Sequence, residues 1–236
     1  MNDYTIGLAL YDFLPVIFTG VAVFFITRLV AMAAPDHKLM AAIGSVLVVA
    51  AGLLKAIWKL EMAAVGQDVV WMANALFPLM APGFTLLATA VWSAMRRLHG
   101  KSTPNTLWIG PLAAIVLTYT IAAVRFWGQS VERGWFMPIM TLASLTNIWL
   151  TALLMIEAGR RGKWGVSLLF VVNLGMVFAL QAIAQIEPKP IALHWFEQTL
   201  TTFGAATFAL ASYLLLKMGR EGAGAAQLQP AAAIGQ

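Results

Sequence analysis

Two lysines and their neighbours form an unusual polar feature of this sequence, because they lie within a long apolar stretch. Lys55, Trp58, Lys59 and Met62 are spaced i, i+3, i+4 and i+7, which places them on one face of a helix. Lysines four residues apart on a helix repel each other. The pair therefore predicts an acidic partner from another helix, or an anionic ligand that lies between the two ammonium groups.

Polar side chains at helical spacing recur in two later apolar stretches. The two stripes are His194, Glu197, Gln198 and Thr201, and Asn173, Val177, Gln181 and Gln185. Polar groups are costly within a membrane, and three such faces turned inward would enclose a pocket. We expect Asp12 or Glu197 to lie within ion-pair reach of Lys55. The candidate ligand-binding residues are Asp12, Lys55, Trp58, Lys59, Asn74, Gln181, His194, Glu197 and Gln198.

Structural roles compete with ligand binding for these residues. Long side chains near a membrane surface extend their polar ends into water, and amides often bridge helices in membrane proteins. The first alternative applies to Lys59, Glu61, Arg125 and His194, and the second to Asn74 and Gln181. Lys55, Glu197 and Asp12 lie about one to two turns deeper. For these three, a ligand contact and a structural ion pair both stay open.

The sequence lacks the residue sets of most catalytic and cofactor sites. It has no cysteine, which excludes disulfides, cysteine-ligated zinc, iron–sulfur clusters and thiol catalysis. His37 and His99 fall on one side of the predicted membrane and His194 on the other, so they cannot share a metal or a haem across about 30 Å. Phosphate-binding loops and a G-x-S-x-G motif are also missing. We expect no metal and no cofactor, and His194 with Glu197 is the candidate acid–base pair.

Composition determines which elements hold these side chains. Of 236 residues, 61% are apolar and 11% are charged, and mean hydropathy is +0.81. A soluble domain carries about 25% charged residues, so we predict an all-α integral membrane protein with seven transmembrane helices in residues 1–220 and a disordered cytoplasmic tail in 221–236. The predicted spans are about 5–33, 39–63, 69–95, 105–127, 135–158, 164–186 and 191–217.

Loop charges predict the orientation of the bundle. One side collects ten basic residues, including the pairs Arg96-Arg97 and Arg160-Arg161, and the other side has five. Cytoplasmic loops carry the excess of lysine and arginine, which predicts an outside N-terminus and a cytoplasmic C-terminus, in the inner (plasma) membrane of a bacterium. The net charge of +5 then reflects loops that contact anionic lipid headgroups, rather than binding to nucleic acid.

The third and seventh predicted spans share identities at an offset of 124 residues. The matched pairs include Trp71 with Trp195, Phe84 with Phe208 and Arg96 with Arg220, and Asn74 falls opposite Gln198. A parallel 3+1+3 repeat would follow, with the fourth span as connector. This plan resembles that of the sugar-facilitator (SWEET) and PQ-loop proteins and of microbial rhodopsins. The sequence has no Pro-Gln pair, however, and the lysine of span seven, Lys217, is too near the helix end to hold retinal.

Three functions fit these observations. The first is a transporter or permease for a small polar or zwitterionic solute, which the resemblance to sugar facilitators also implies through paired amides on spans three and seven. The second is an intramembrane enzyme that acts on a lipid or an isoprenoid at the outer leaflet. The third is a membrane sensor or accessory subunit. The expected partners are membrane lipids, a small-molecule ligand and, as an option, further copies of the chain.

Overall fold

Seven helices that are long and apolar enough to cross a membrane make up most of the described chain. The computed structural model describes residues 5–104, 106–183, 186 and 190–227, and of 222–227 the backbone alone. The spans are Ile6–Ala33, Pro35–Ala64, Val70–Leu98, Ile109–Gly128, Phe136–Arg160, Trp164–Ile183 and Ile191–Glu221, numbered 1 to 7 in this order. No strand occurs in these ranges. The prediction of an all-α seven-helix bundle is therefore confirmed.

Prolines determine where several helices begin. Proline is tolerated in the first helical turn, where a backbone N–H has no intrahelical partner. Four helices accordingly begin two residues before a proline. They are Phe13–Ala33 with Pro15, Leu76–Leu98 with Pro78, Ile109–Ala123 with Pro111, and Phe136–Arg160 with Pro138.

Spans 1 and 3 are each divided into two helices near their N-terminal residues, which lie at the same end of the bundle. Short helices, Ile6–Tyr11 and Val70–Asn74, precede the long ones, and a single residue separates the two parts. The reason is the same in both spans, because Pro15 and Pro78 cannot donate to the carbonyl four residues earlier. In span 1 the separating residue is Asp12, so a carboxylate lies at a break in the helix.

The other helices complete the spans. Span 2 begins with a short 3-10 turn, Pro35–His37, and continues as Lys38–Ala64, whereas span 4 ends in a π-helical turn, Val124–Gly128. Trp164–Ile183 forms span 6. The last helix runs from Ile191 to Gln227 and thus continues beyond residue 220. Residues 228–236, the rest of the predicted tail, lie outside the described residues.

Six of the spans form a closed ring. Each neighbouring pair in the order 1, 2, 3, 5, 6, 7 and back to 1 is in contact, and span 4 lies outside the ring against spans 3 and 5. Two ends of the bundle follow from the chain direction. The basic end carries residues 35–38, 96–104 and 160–163, and the N-terminal end carries residues 5–12, 64–70 and 128–135.

A core of buried apolar side chains fills the half of the bundle nearer to the basic end. Its largest side chains are each at most 2% exposed. They come from six spans and include Leu29, Met40, Leu87, Leu154, Phe170 and Leu215. Glycines allow spans 2 and 3 to approach closely here, since a Cβ added to Gly44 would lie 2.7 Å from the carbonyl oxygen of Gly83.

Polar contacts tie the helices together at the basic end. Arg97 donates to the carboxylate of Asp36 at 2.6 Å, which links span 3 to the start of span 2. The buried carboxylate of Glu157 accepts from Arg161 at 2.7 Å and lies 3.7 Å from the Nε2 of His99. These ion pairs all lie at the basic end, and none of them involves a polar side chain of the N-terminal end.

Candidate functional site

Three adjoining cavities lie between the N-terminal end and the middle of the bundle. Their volumes are about 230, 330 and 280 Å³. We call them the rim cavity, which contains His194 and Glu197, the lysine cavity, which contains Lys55, and the amide cavity, which contains Asn147. Thr201 of span 7 lines all three. The lysine cavity is at the lower end of the range of about 300–1,000 Å³ for small-molecule sites, and the other two are slightly smaller.

The lysine cavity contains a buried ion pair between spans 1 and 2. The Lys59 ammonium contacts the carboxylate of Asp12, whose side chain is 9% exposed. Asp12 is available for this contact because the helix breaks at its position, which turns the carboxylate toward span 2. The prediction that Lys55 pairs with Asp12 or Glu197 differs from the structure, in which Asp12 pairs with Lys59 and Glu197 lies 3.6 Å from His194.

Lys55 makes a different contact. Its ammonium lies 3.8 Å from the ring centroid of Trp58, a distance typical of a cation–π interaction. The Trp58 indole in turn donates to the carboxylate of Asp68 at 2.8 Å, at the exposed surface. Trp58 therefore contacts Lys55 but does not line the lysine cavity. The prediction that Trp58 forms a wall of the pocket differs from the structure.

Gln198 separates the lysine cavity from the rim cavity and lines both. The residue is 6% exposed, and its Nε2 has no hydrogen-bond partner among the residues that the structure describes. The backbone carbonyl of Gln198 accepts from the Thr202 hydroxyl at 2.8 Å. The unsatisfied group is therefore the N–H of the side-chain amide and not the backbone. A buried donor without an acceptor is costly, and at this cavity wall the N–H is available to a molecule that enters the cavity.

The rim cavity contains the candidate acid–base pair. The Nδ1 of His194 lies 3.6 Å from a carboxylate oxygen of Glu197, and both side chains are less than one-fifth exposed. Lys59 also lines this cavity. The rim and lysine cavities therefore share Lys59, Gln198 and Thr201 as a common wall.

The amide cavity lies at the mid-depth of the bundle. Thr19, Asn147 and Asn173 each occupy the middle of their span and line its wall. Asn173 donates to the carbonyl of Gly204 at 2.9 Å and so joins spans 6 and 7. The remaining lining is mainly apolar. It includes Phe77, Met80, Phe84, Met176 and Phe208.

Most of the nine candidate residues proposed from the sequence line these cavities. Seven of the nine candidates do so: Asp12, Lys55, Lys59, Gln181, His194, Glu197 and Gln198. Trp58 and Asn74 do not, and Asn74 ends the short helix Val70–Asn74 in a half-buried position. Gln185, the last member of the span 6 stripe, lies outside the described residues.

Three further polar residues of the site, Thr19, Ser144 and Asn147, were not among the sequence candidates. Asn147 and Thr19 line the amide cavity at the middle of spans 5 and 1. Thr19 is an isolated polar residue within an apolar stretch, whereas Asn147 shares a helix face with Ser144 and Thr151, at i−3 and i+4. The position of an amide midway along a predicted span is the signal that could have identified Asn147.

No grouping of three histidine, aspartate or glutamate side chains suitable for a metal occurs in the described part of the chain. Comparison with known proteins gives no match to any family model, to any curated protein or to any solved structure. The function must therefore be argued from the cavities themselves.

Proposed function

We propose that this protein is a permease that binds a small polar or zwitterionic solute in the connected cavities of its N-terminal half. Unpartnered Gln198 carries the proposal, because it places a buried hydrogen-bond donor at a cavity wall where no described residue satisfies it. Charged residues at the rim and amides at mid-depth agree with the binding of a polar solute.

The distribution of packing supports access from one side. The cavities reach from the N-terminal end to mid-depth, and beyond them the tightly packed core closes the path to the basic end. Such a one-sided opening is expected of one state of an alternating-access carrier. With the basic end in the cytoplasm, as the loop charges predict, this state would face outward.

A duplicated architecture is part of the proposal. If spans 1–3 correspond to spans 5–7, the contact of span 3 with span 5 is equivalent to that of span 7 with span 1, and both contacts are extensive. Carrier motion would then consist of rocking of one three-helix set against the other. The amides Asn74 and Gln198 would be equivalent by sequence offset, although only Gln198 lines a cavity.

Uptake into proteoliposomes tests the proposal. The purified chain is reconstituted and exposed to a panel of radiolabelled amino acids, small carboxylates, amines and sugars, and Gln198→Leu is compared with Lys101→Met, which replaces an exposed lysine at the basic end. We expect uptake of at least one solute class that Gln198→Leu abolishes and Lys101→Met retains. Absence of uptake for the whole panel, with binding intact, would refute a permease.

A lipid-directed enzyme is the second candidate function, and one observation favours it. His194 and Glu197 are 3.6 Å apart at the rim cavity, where a proton could pass between a headgroup and the pair. Under this alternative, Glu197→Gln would abolish conversion of added lipids, as followed by mass spectrometry. A permease instead predicts that the lipids are recovered unchanged with either form of the protein.

A further inference from the structure

The lysine cavity carries an excess positive charge that its own residues do not neutralise. Two ammonium groups, Lys55 and Lys59, line it together with one carboxylate, Asp12. The Asp12–Lys59 pair accounts for one of each sign. The neighbouring carboxylates do not line this cavity: Asp68 accepts from the Trp58 indole at the exposed surface, and Glu197 lies beside His194 in the rim cavity.

Lys55 and Gln198 lie on the wall of the same cavity. The indole beneath the Lys55 ammonium contacts one side of it and leaves its other N–H groups available to an acceptor. The Nε2 of Gln198 adds a second, unpartnered donor. A cation and a neutral donor on one cavity wall suit the two oxygens of a carboxylate, because charge-assisted hydrogen bonds are strong where water is excluded.

The amide cavity supplies a place for the rest of such a ligand. It meets the lysine cavity at Thr19, Met80 and Thr201. The Thr201 hydroxyl donates to the carbonyl of Glu197 at 2.8 Å, so it leaves only acceptor capacity toward the ligand. Beyond it the wall is mainly aromatic and aliphatic, with Phe84 and Phe208 from spans 3 and 7. An apolar group of a few carbon atoms would be buried there at a gain in free energy.

We propose that the ligand of these cavities is a small monocarboxylate with an apolar tail, whose carboxylate binds Lys55 and Gln198 and whose tail enters the amide cavity. This inference rests on the proposed function for its site and sharpens it. It selects an anion over a zwitterion, because a ligand ammonium near the same position would face the net positive charge of the lysine cavity.

Binding in nanodiscs of neutral phosphatidylcholine tests the inference without requiring transport. Isothermal titration compares hexanoate with hexanol, hexylamine and leucine, which share an apolar body but differ in head charge. We expect hexanoate to bind most tightly. Lys55→Met and Gln198→Glu should each weaken hexanoate binding about tenfold or more, since each removes one contact to the carboxylate, and Lys101→Met should leave it unchanged.

A substitution in the tail region separates the two parts of the ligand. Ser144 lines the amide cavity from span 5, and Ser144→Leu should weaken hexanoate binding while it leaves the binding of propionate as it was. Equal losses for both acids would place the tail elsewhere. Circular dichroism melting of each variant shows whether the fold is retained.

The outcomes distinguish the inference from the permease proposal. Tighter binding of leucine or hexylamine than of hexanoate, or hexanoate binding that survives both Lys55→Met and Gln198→Glu, overturns the carboxylate site while a permease for another solute stands. Hexanoate binding with the expected variant pattern but without uptake supports the site and refutes transport. No binding of any of the four probes overturns the inference.

Discussion

Asp12 and Lys59 form a largely buried ion pair at the N-terminal end of the bundle. Their ion pair is shielded from water, with side-chain exposures of 9% and 19%, and it joins the break in span 1 to span 2. Removing one partner leaves the other charge without compensation in a poorly hydrated site, which costs about 3–5 kcal/mol. Replacing both by apolar residues of similar size avoids that penalty.

We therefore expect Asp12→Leu and Lys59→Met each to lower the thermal unfolding temperature in detergent, and the double variant to recover much of the loss. A double-mutant cycle of unfolding midpoints measures the coupling. Lys55→Met is the matched control, because it removes a lysine of the same helix face that lies on Trp58 instead. Additive losses of Asp12→Leu and Lys59→Met would mean that the ion pair contributes no coupling energy.

Periodicity identifies which side chains share a helix face, but it does not choose the partner of each. Lys55 and Lys59 lie on one face, as their spacing predicts, and either could reach a carboxylate on span 1. Which of the two lysines pairs with Asp12 depends on the rotation of span 2 about its axis and on the direction of the Asp12 side chain. Asp12 is the residue between two helices. Pro15, three residues later, causes this break because it lacks a backbone N–H, and a pattern of apolar residues does not reveal that effect.

At the scale of the helices, a second proline effect links spans 3 and 4. Pro82 lies within the helix Leu76–Leu98 and cannot donate to the carbonyl of Pro78, four residues earlier. The Tyr119 hydroxyl of span 4 donates to that carbonyl instead. Span 4, which is otherwise outside the ring, is thus held by a hydrogen bond that the proline makes available. Neither the bond nor its partner follows from the sequence, since the two residues are far apart in the chain.

This arrangement predicts a specific coupling. Tyr119→Phe leaves the Pro78 carbonyl unpaired in an apolar layer, and we expect it to destabilise the protein by about 1–3 kcal/mol. In a Pro82→Ala background the new backbone N–H can satisfy the same carbonyl, so Tyr119→Phe should cost much less there. Unfolding midpoints of the four proteins measure the difference. Thr120→Val, next along span 4 and exposed, serves as the control. Equal costs of Tyr119→Phe in both backgrounds would show that the hydroxyl does not replace the missing N–H.

At the scale of the whole molecule, the sequence determines the number and the bounds of the spans more fully than their arrangement. The seven predicted spans match the seven observed ones within a few residues at most ends, because apolar length and loop residues define them. The closed ring of six spans, with span 4 outside, could not be derived in this way. Helix neighbours depend on close approaches such as that of Gly44 and Gly83, and each such contact involves residues distant in sequence.

The bundle has two chemically different ends, and the orientation of these ends decides which compartment the cavities face. Arg97 and Asp36 mark the basic end, and the positive-inside tendency predicts that this end faces the cytoplasm. Ser130 lies in the exposed turn between spans 4 and 5 at the opposite end, with a positive φ of 51°. The natural chain has no cysteine, so single cysteines can be introduced without background labelling.

We expect Ser130→Cys to react with a membrane-impermeant maleimide in intact cells, and Lys101→Cys and Asp36→Cys to react only after the cells are permeabilised. Lys101 is exposed in the loop between spans 3 and 4, so its protection in intact cells would reflect the membrane and not burial. Gel-shift labelling provides the measurement, and full reaction of all three after permeabilisation is the control. The reverse pattern would place the cavities on the cytoplasmic side, and the proposed permease would then bind its solute from within the cell in this state.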